Sequence, residues 1–218
     1  MFLRPTIARE VKKRGITLLL HSTHLYKNLP LILEDGWIHS ARELIDRYGL
    51  DHAARLLHDP RRYEQFAVGL DYINASLTTP NVELLYHRSQ TVWQSEWVHL
   101  ALDLSLLSLP TTLFSPVSAA SARGRHIAPG LDGFRAMFAA PPGKPSRGNL
   151  SPAQPTHPQA EVLILGPLRL SWIRAILVPH RNTLHEVARL CEHHTRDIPV
   201  EITPHHFVWP AHLTSTAP

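Results

Sequence analysis

The chain has 218 residues and a mass of 24.6 kDa, with 44% hydrophobic residues and a formal net charge of +4. That apolar content fills a real core and excludes a globally disordered chain, while the length suits one domain spanning residues 1–218. The single cysteine, Cys191, excludes an intrachain disulfide, and no apolar run approaches the ~20 residues that cross a bilayer.

Arginine dominates the basic residues, 18 against 4 lysines. Guanidinium forks match phosphates and stack on bases, so a polyanionic partner is one expectation; the other is a mildly basic surface that serves solubility. The first fifteen residues are charged and lack the apolar stretch of a signal peptide. The expected location is the cytoplasm.

Residues 16–21 (ITLLLH) read as a short apolar strand. LYKNLPLILEDG follows as a helix, with Leu25, Leu29, Ile32 and Leu33 on one face and Gly36 ending it. Residues 41–49 and 52–57 read as helices with outward arginines. Residues 70–77 form a strand, 78–81 a break, and VELLYHR a helix. WVHLALDL (97–104) is a buried strand and TTLFSP another short one. A basic loop of small residues, SAASARGRHIAPG, leads to a short helix at LDGFRAMFA.

Residues 141–160 hold six prolines and two glycines. A loop of that length in a compact domain points to function. Beyond it, EVLIL and LSWIRAILV flank Gly166-Pro167 and read as a hairpin-like pair of strands. RNTLHEVARLCEHH is an amphipathic helix with Leu184, Val187, Ala188 and Cys191 on one side. PVEIT is the last strand. The pattern is α+β, with the helices concentrated in the first half.

Three positions attract chemistry. His21 ends the first strand, where it either donates to a ligand hydroxyl or packs as a strand residue, and Thr23 or His24 opens the following helix. Asn28 falls on the outer side of that helix. Glu161 is sharper: it is a carboxylate at the edge of an aliphatic strand, which is costly unless solvated, paired or useful. It points either to solvent or to the rim of whatever the proline-rich loop covers. The histidine-rich stretches around 157, 193–194 and 205–206 lack metal-ligand spacing, so no metal is expected. Cys191 belongs to a core rather than to a nucleophile.

Several stretches then fall into one order. LLHSTHLYKNLPLILEDGWI (19–38), ASLTTPNVELLY (75–86), LFSPVSAAS (113–121) with GFRAMF (133–138), PTHPQAEVLILGPLRLSWIRAILV (155–178) and PVEITPHHF (199–207) resemble successive segments of the DarT family of DNA ADP-ribosyltransferases. The likeness covers most of the chain. It departs at Ser118, where many relatives carry asparagine, and at His157, where they often carry aspartate.

The resemblance implies an α+β ADP-ribosyltransferase fold, in which two small, mainly antiparallel sheets form a cleft for NAD as co-substrate. It implies that His21, Thr23, Asn28 and Tyr72 bind NAD and that Glu161 is catalytic, steadying positive charge on the ribose as nicotinamide leaves. The arginine that supports catalysis in relatives corresponds to Arg62, with Arg55 and Arg61 as alternatives. Gln159 would orient substrate from the strand face it shares with Glu161. Arg147, Arg123, Arg125 and Lys144 would track the backbone of single-stranded DNA, the natural target because a base edge is reachable only outside the duplex. Trp93, Trp97 and Tyr86 would either stack on bases or pack in the core. The same likeness implies a toxin opposed by a macrodomain antitoxin; the alternatives are an ADP-ribosyltransferase acting on RNA or protein, or a non-catalytic basic nucleic-acid-binding relative.

Overall fold

A computed structural model describes residues 6–51, 53, 67–90, 96–140, 143 and 146–214. Its center is one long sheet in the order β10-β9-β4-β1-β3-β7-β5-β6, antiparallel except for the β9/β10 pair. The strands are β1 (Leu19–His24), β3 (Tyr72–Leu77), β4 (Trp97–Leu102), β5 (Leu113–Ser115), β6 (Ala128–Pro129), β7 (Glu161–Leu165), β9 (Ile173–Val178) and β10 (Val200–Ile202). A separate ribbon pairs β2 (Trp37–Ile38) with β8 (Leu168–Arg169). All six residues of β4 are buried, as its unbroken apolar run requires of a strand flanked by β1 and β9.

The sheet is nearly cut in two. β1 pairs β4 along five residues, from Leu20↔Ala101 to His24↔Trp97, but meets β3 only at Leu19↔Leu77 and Leu20↔Ser76. Past Leu20 the strands part, and β3 continues with β7 through Asn74↔Leu163 and Tyr72↔Leu165. The two small sheets expected from the sequence are the halves on either side of this opening, joined here by two residue pairs.

The helices that the described residues bound at both ends are α1 (Ile7–Arg14), α2 (Asn28–Asp35), α3 (Ala41–Tyr48), α4 (Val82–Ser89), α5 (Gly130–Ala136), α6 (Arg181–His193) and the short α7 (Ala211–Thr214). α2 buries Leu29, Ile32 and Leu33 and stops at Gly36, whose φ of 78° suits a residue without Cβ. Ser40 and Glu43 form a reciprocal capping box at the start of α3, and the Asn81 side chain caps α4. The segment 52–57 lies almost wholly outside the described residues.

Three expectations need correction. EVLIL and IRAILV are not a hairpin: β7 pairs β3 and β5, whereas β9 pairs β4 and β10. Both runs are buried interior strands that need two neighbours each, and the chain between them detours through β8. Ala188 is exposed, so the inward stripe of α6 is Thr183, Val187 and Cys191 at helical spacing. The first strand runs on to His24, so Thr23 and His24 lie within β1 and the following helix starts only at Asn28.

Candidate active site

Glu161 opens β7 and is only 5% exposed, so it does not point to solvent. Asn74, on the adjoining strand β3, donates its side-chain amide to Glu161 Oε2. The Ala119 backbone N–H donates to Oε1 at 3.3 Å. Ala119 lies in the bend after β5, just ahead of a turn in which Ala122 and Arg123 adopt left-handed backbone (φ 50° and 57°), uncommon for residues with a Cβ. The carboxylate is thus aimed from two sides.

The opening between β1 and β3 is held by a ring. His21 Nδ1 lies 2.8 Å from the Asn74 carbonyl. A carbonyl only accepts, so Nδ1 carries the proton and the other ring nitrogen of neutral His21 is an acceptor. Burial pushes the His21 imidazole below its ordinary range; the Asn74 bond opposes that shift, and the Arg88 charge adds to it. His21 therefore offers a lone pair, not the N–H donor expected at its free nitrogen. The backbone of Asn74 answers His21 while its side chain answers Glu161.

Around this ring lie two adjoining cavities. The first, of about 170 Å³, is lined by His21, Tyr72, Asn74, Ser76, Arg88 and Glu161 among others. The second, of about 120 Å³, includes His21, Thr23, Asn28, Asp35 and Trp97 in its lining. His21, Ser22, His39 and Arg88 line both, so they are two lobes of one cleft. A third cavity of about 380 Å³ touches the cleft at Ser76 and is walled by the proline-rich loop through Leu150, Pro155, His157 and Pro158.

The structure thus gathers Glu161, His21, Tyr72, Thr23 and Asn28 around one cleft; Asn28 is half-buried there rather than on an outer face. Gln159 is not on a strand. It sits in the turn before β7, where its N–H donates to His157 Nδ1 at 3.1 Å and the Ala160 N–H donates to the His157 carbonyl. His157 so supplies the acceptor that an aspartate provides in such turns. Arg147 is turned into its own loop: it donates to Thr156 Oγ1 at 2.9 Å and to the carbonyls of Ser151 and Gln154, and it stands over the Phe138 ring. That guanidinium ties the loop to itself. Arg123 and Arg125 are exposed beside the Ala119 bend. Arg62, Arg55, Arg61, Lys144 and Trp93 lie outside the described residues.

Trp97 is buried, donates to Ser89 Oγ at 2.9 Å and meets His24 edge-on, so it packs rather than stacks on a base. Tyr86 meets Trp209 edge-on. Behind the cleft, Ser22 Oγ and His99 Nδ1 share a hydrogen bond of 3.0 Å, and His99 stacks on Phe207. Burial takes the His99 imidazole down to about 3. Burial also raises the Cys191 thiol. Among the described residues no group of three metal-ligating side chains is assembled, and no helix is long and apolar enough to cross a membrane.

Sequence reasoning missed Asn74 and Arg88. The alternation of YINASL, which puts Tyr72, Asn74 and Ser76 on one strand face, was the available signal for Asn74. Arg88 carries no such signal, because helix α4 alone does not say what it covers.

A search among curated proteins finds no match. Among solved structures, the fold is similar to Thermus sp. 2.9 DarT in complex with ADP-ribosylated ssDNA, with a TM-score of 0.61 and 17% identity over 89% of this chain and 97% of that one. The same protein in complex with NAD+ gives a TM-score of 0.59 and 16% identity over 88% and 98%. Thermosipho africanus DarTG in complex with ADP-ribose gives 0.61 and 20% identity, over 88% of this chain but only 51% of that one. The model of one protein family, described as "ssDNA thymidine ADP-ribosyltransferase, DarT", matches residues 20–208. Spanning most of the sequence and both halves of the cleft, that match places this chain in the DarT family.

Proposed function

We propose that this protein is a cytoplasmic enzyme that transfers ADP-ribose from NAD to the thymidine base of single-stranded DNA, with residues 1–218 acting as one ADP-ribosyltransferase domain. The observation that carries the reading is the buried Glu161 carboxylate, held by Asn74 and Ala119 at the wall of a two-lobed cleft. NAD consists of two nucleotides, and two lobes joined at His21 and Ser22 suit such a substrate.

The reaction breaks the bond between nicotinamide and the ribose, whose electron pair departs with neutral nicotinamide. Positive charge builds on the sugar, and a fixed carboxylate stabilises it more in the transition state than in the ground state. Because Asn74 and Ala119 hold Glu161 beforehand, little reorganisation accompanies the step. The acceptor nitrogen of thymidine is its one ring N–H. Its proton passes to Glu161 as the new bond to the ribose forms. His21, with a lone pair facing outward from its Asn74 bond, accepts from a ribose hydroxyl. Thr23, Asn28 and Tyr72 complete the NAD site.

The DNA approaches past the Ala119 bend, where exposed Arg123 and Arg125 meet its phosphates, and along the cavity walled by the proline-rich loop. Gln159, in the turn next to Glu161, faces the acceptor. We place Arg62 in the catalytic role expected from the family. The toxin role and the opposing macrodomain antitoxin are those the family resemblance implies.

Labelled NAD offered with single-stranded DNA, duplex DNA, RNA and bulk protein tests this reading. Label is expected on single-stranded DNA alone. Label on RNA or protein, or none on any acceptor, contradicts it.

A further inference from the structure

The two lobes meet at four residues, His21, Ser22, His39 and Arg88. Among the described lining residues, Arg88 is the one lysine or arginine of either lobe. It lies in the last turn of α4, which lines the first lobe through Leu84 and Leu85, together with its capping residue Asn81. A second observation places it at the junction: its positive charge acts on His21, which also lines both lobes.

A dinucleotide that spans two lobes carries its diphosphate, two negative charges, between them. In a partly enclosed site that charge is costly unless a cation meets it. A guanidinium fork donates to two phosphate oxygens at once, which an ammonium does not. We propose that Arg88 binds the diphosphate of NAD where the two lobes meet. Sequence reasoning sought the NAD arginine at 55, 61 or 62, ahead of β3 in the chain; Arg88 follows β3 in the chain. The inference rests on the NAD reading above.

Calorimetric binding of ADP-ribose, ADP and adenosine to wild type, Arg88→Gln and Arg88→Lys tests it, with thermal melting as a check on folding. Arg88→Gln weakens ADP-ribose and ADP by about ten- to a hundredfold, the range of a lost charged hydrogen bond, and leaves adenosine unchanged. Arg88→Lys falls between, because it keeps the charge and loses the fork. The affinity of wild type for ADP-ribose drops with added salt, and that slope flattens in Arg88→Gln. Wild-type affinity in Arg88→Gln, an equal loss for adenosine, or an unchanged salt slope would overturn the assignment and leave the NAD reading standing. Wild type that binds neither ADP-ribose nor ADP would sink the NAD reading itself. Should Arg88→Gln not fold, Arg88→Lys decides: ADP-ribose affinity equal to wild type contradicts the fork.

Discussion

Asn74 serves both halves of the split sheet: its side chain donates to Glu161, and its carbonyl accepts from His21 at 2.8 Å. Replacing Asn74 with alanine removes the first bond and keeps the second, which is backbone. The expected outcome is a fall in kcat of about ten- to a hundredfold, the range of a hydrogen bond to a charged group, with a smaller change in KM for NAD. Steady-state kinetics check this. A variant with wild-type kcat would show that the carboxylate is held in place without the Asn74 bond.

Stability should depend on acid through buried histidines. The His99 imidazole is held down to about 3 from an ordinary 6.5, chiefly by burial, and those of His21 and His206 are lowered for the same first reason. Each holds its proton less tightly in the folded state than in the unfolded chain, which takes up protons below pH 6.5. Stability is therefore full above that pH and declines as pH falls, with His99 contributing a slope of about 1.4 kcal/mol per pH unit until pH reaches about 3. Denaturant unfolding between pH 7 and pH 4 measures it. His99→Leu should flatten the slope by about one proton, at the expense of the Ser22 bond. A slope untouched by that variant contradicts the assignment.

Arg147 is expected to act through the loop. Arg147→Ala removes donors to Thr156, Ser151 and Gln154. Stability should fall by about 1–3 kcal/mol, and cleavage within 146–160 by added protease should quicken, with little change in ADP-ribose affinity. Unchanged stability together with weaker DNA binding would return Arg147 to the phosphate-contacting role expected from its sequence.

How far the sequence was legible follows the range of the interactions. α2 was readable because its buried leucines and Gly36 lie within one short segment. Glu161 stood out because a charge beginning an aliphatic strand has few harmless explanations. The bond from Asn74 to Glu161 spans residues 87 positions apart, and no local pattern encodes it. The opening between β1 and β3 is likewise a matter of pairing, not propensity. The hairpin expected from EVLIL and IRAILV failed because an apolar run shows that a strand is interior without naming its neighbours. That Arg147 bonds within its own loop was not legible, because composition counts a charge and does not say which way it turns.

The most direct test is mass spectrometry of digested nucleosides after incubating single-stranded DNA and NAD with wild type or with Glu161→Gln. The expected result is ADP-ribosylated thymidine with wild type and a rate lower by about 10²–10³ with the variant, at unchanged thermal stability. Adduct formed at equal rates by both proteins would mean that the carboxylate beside Asn74 takes no part in the chemistry.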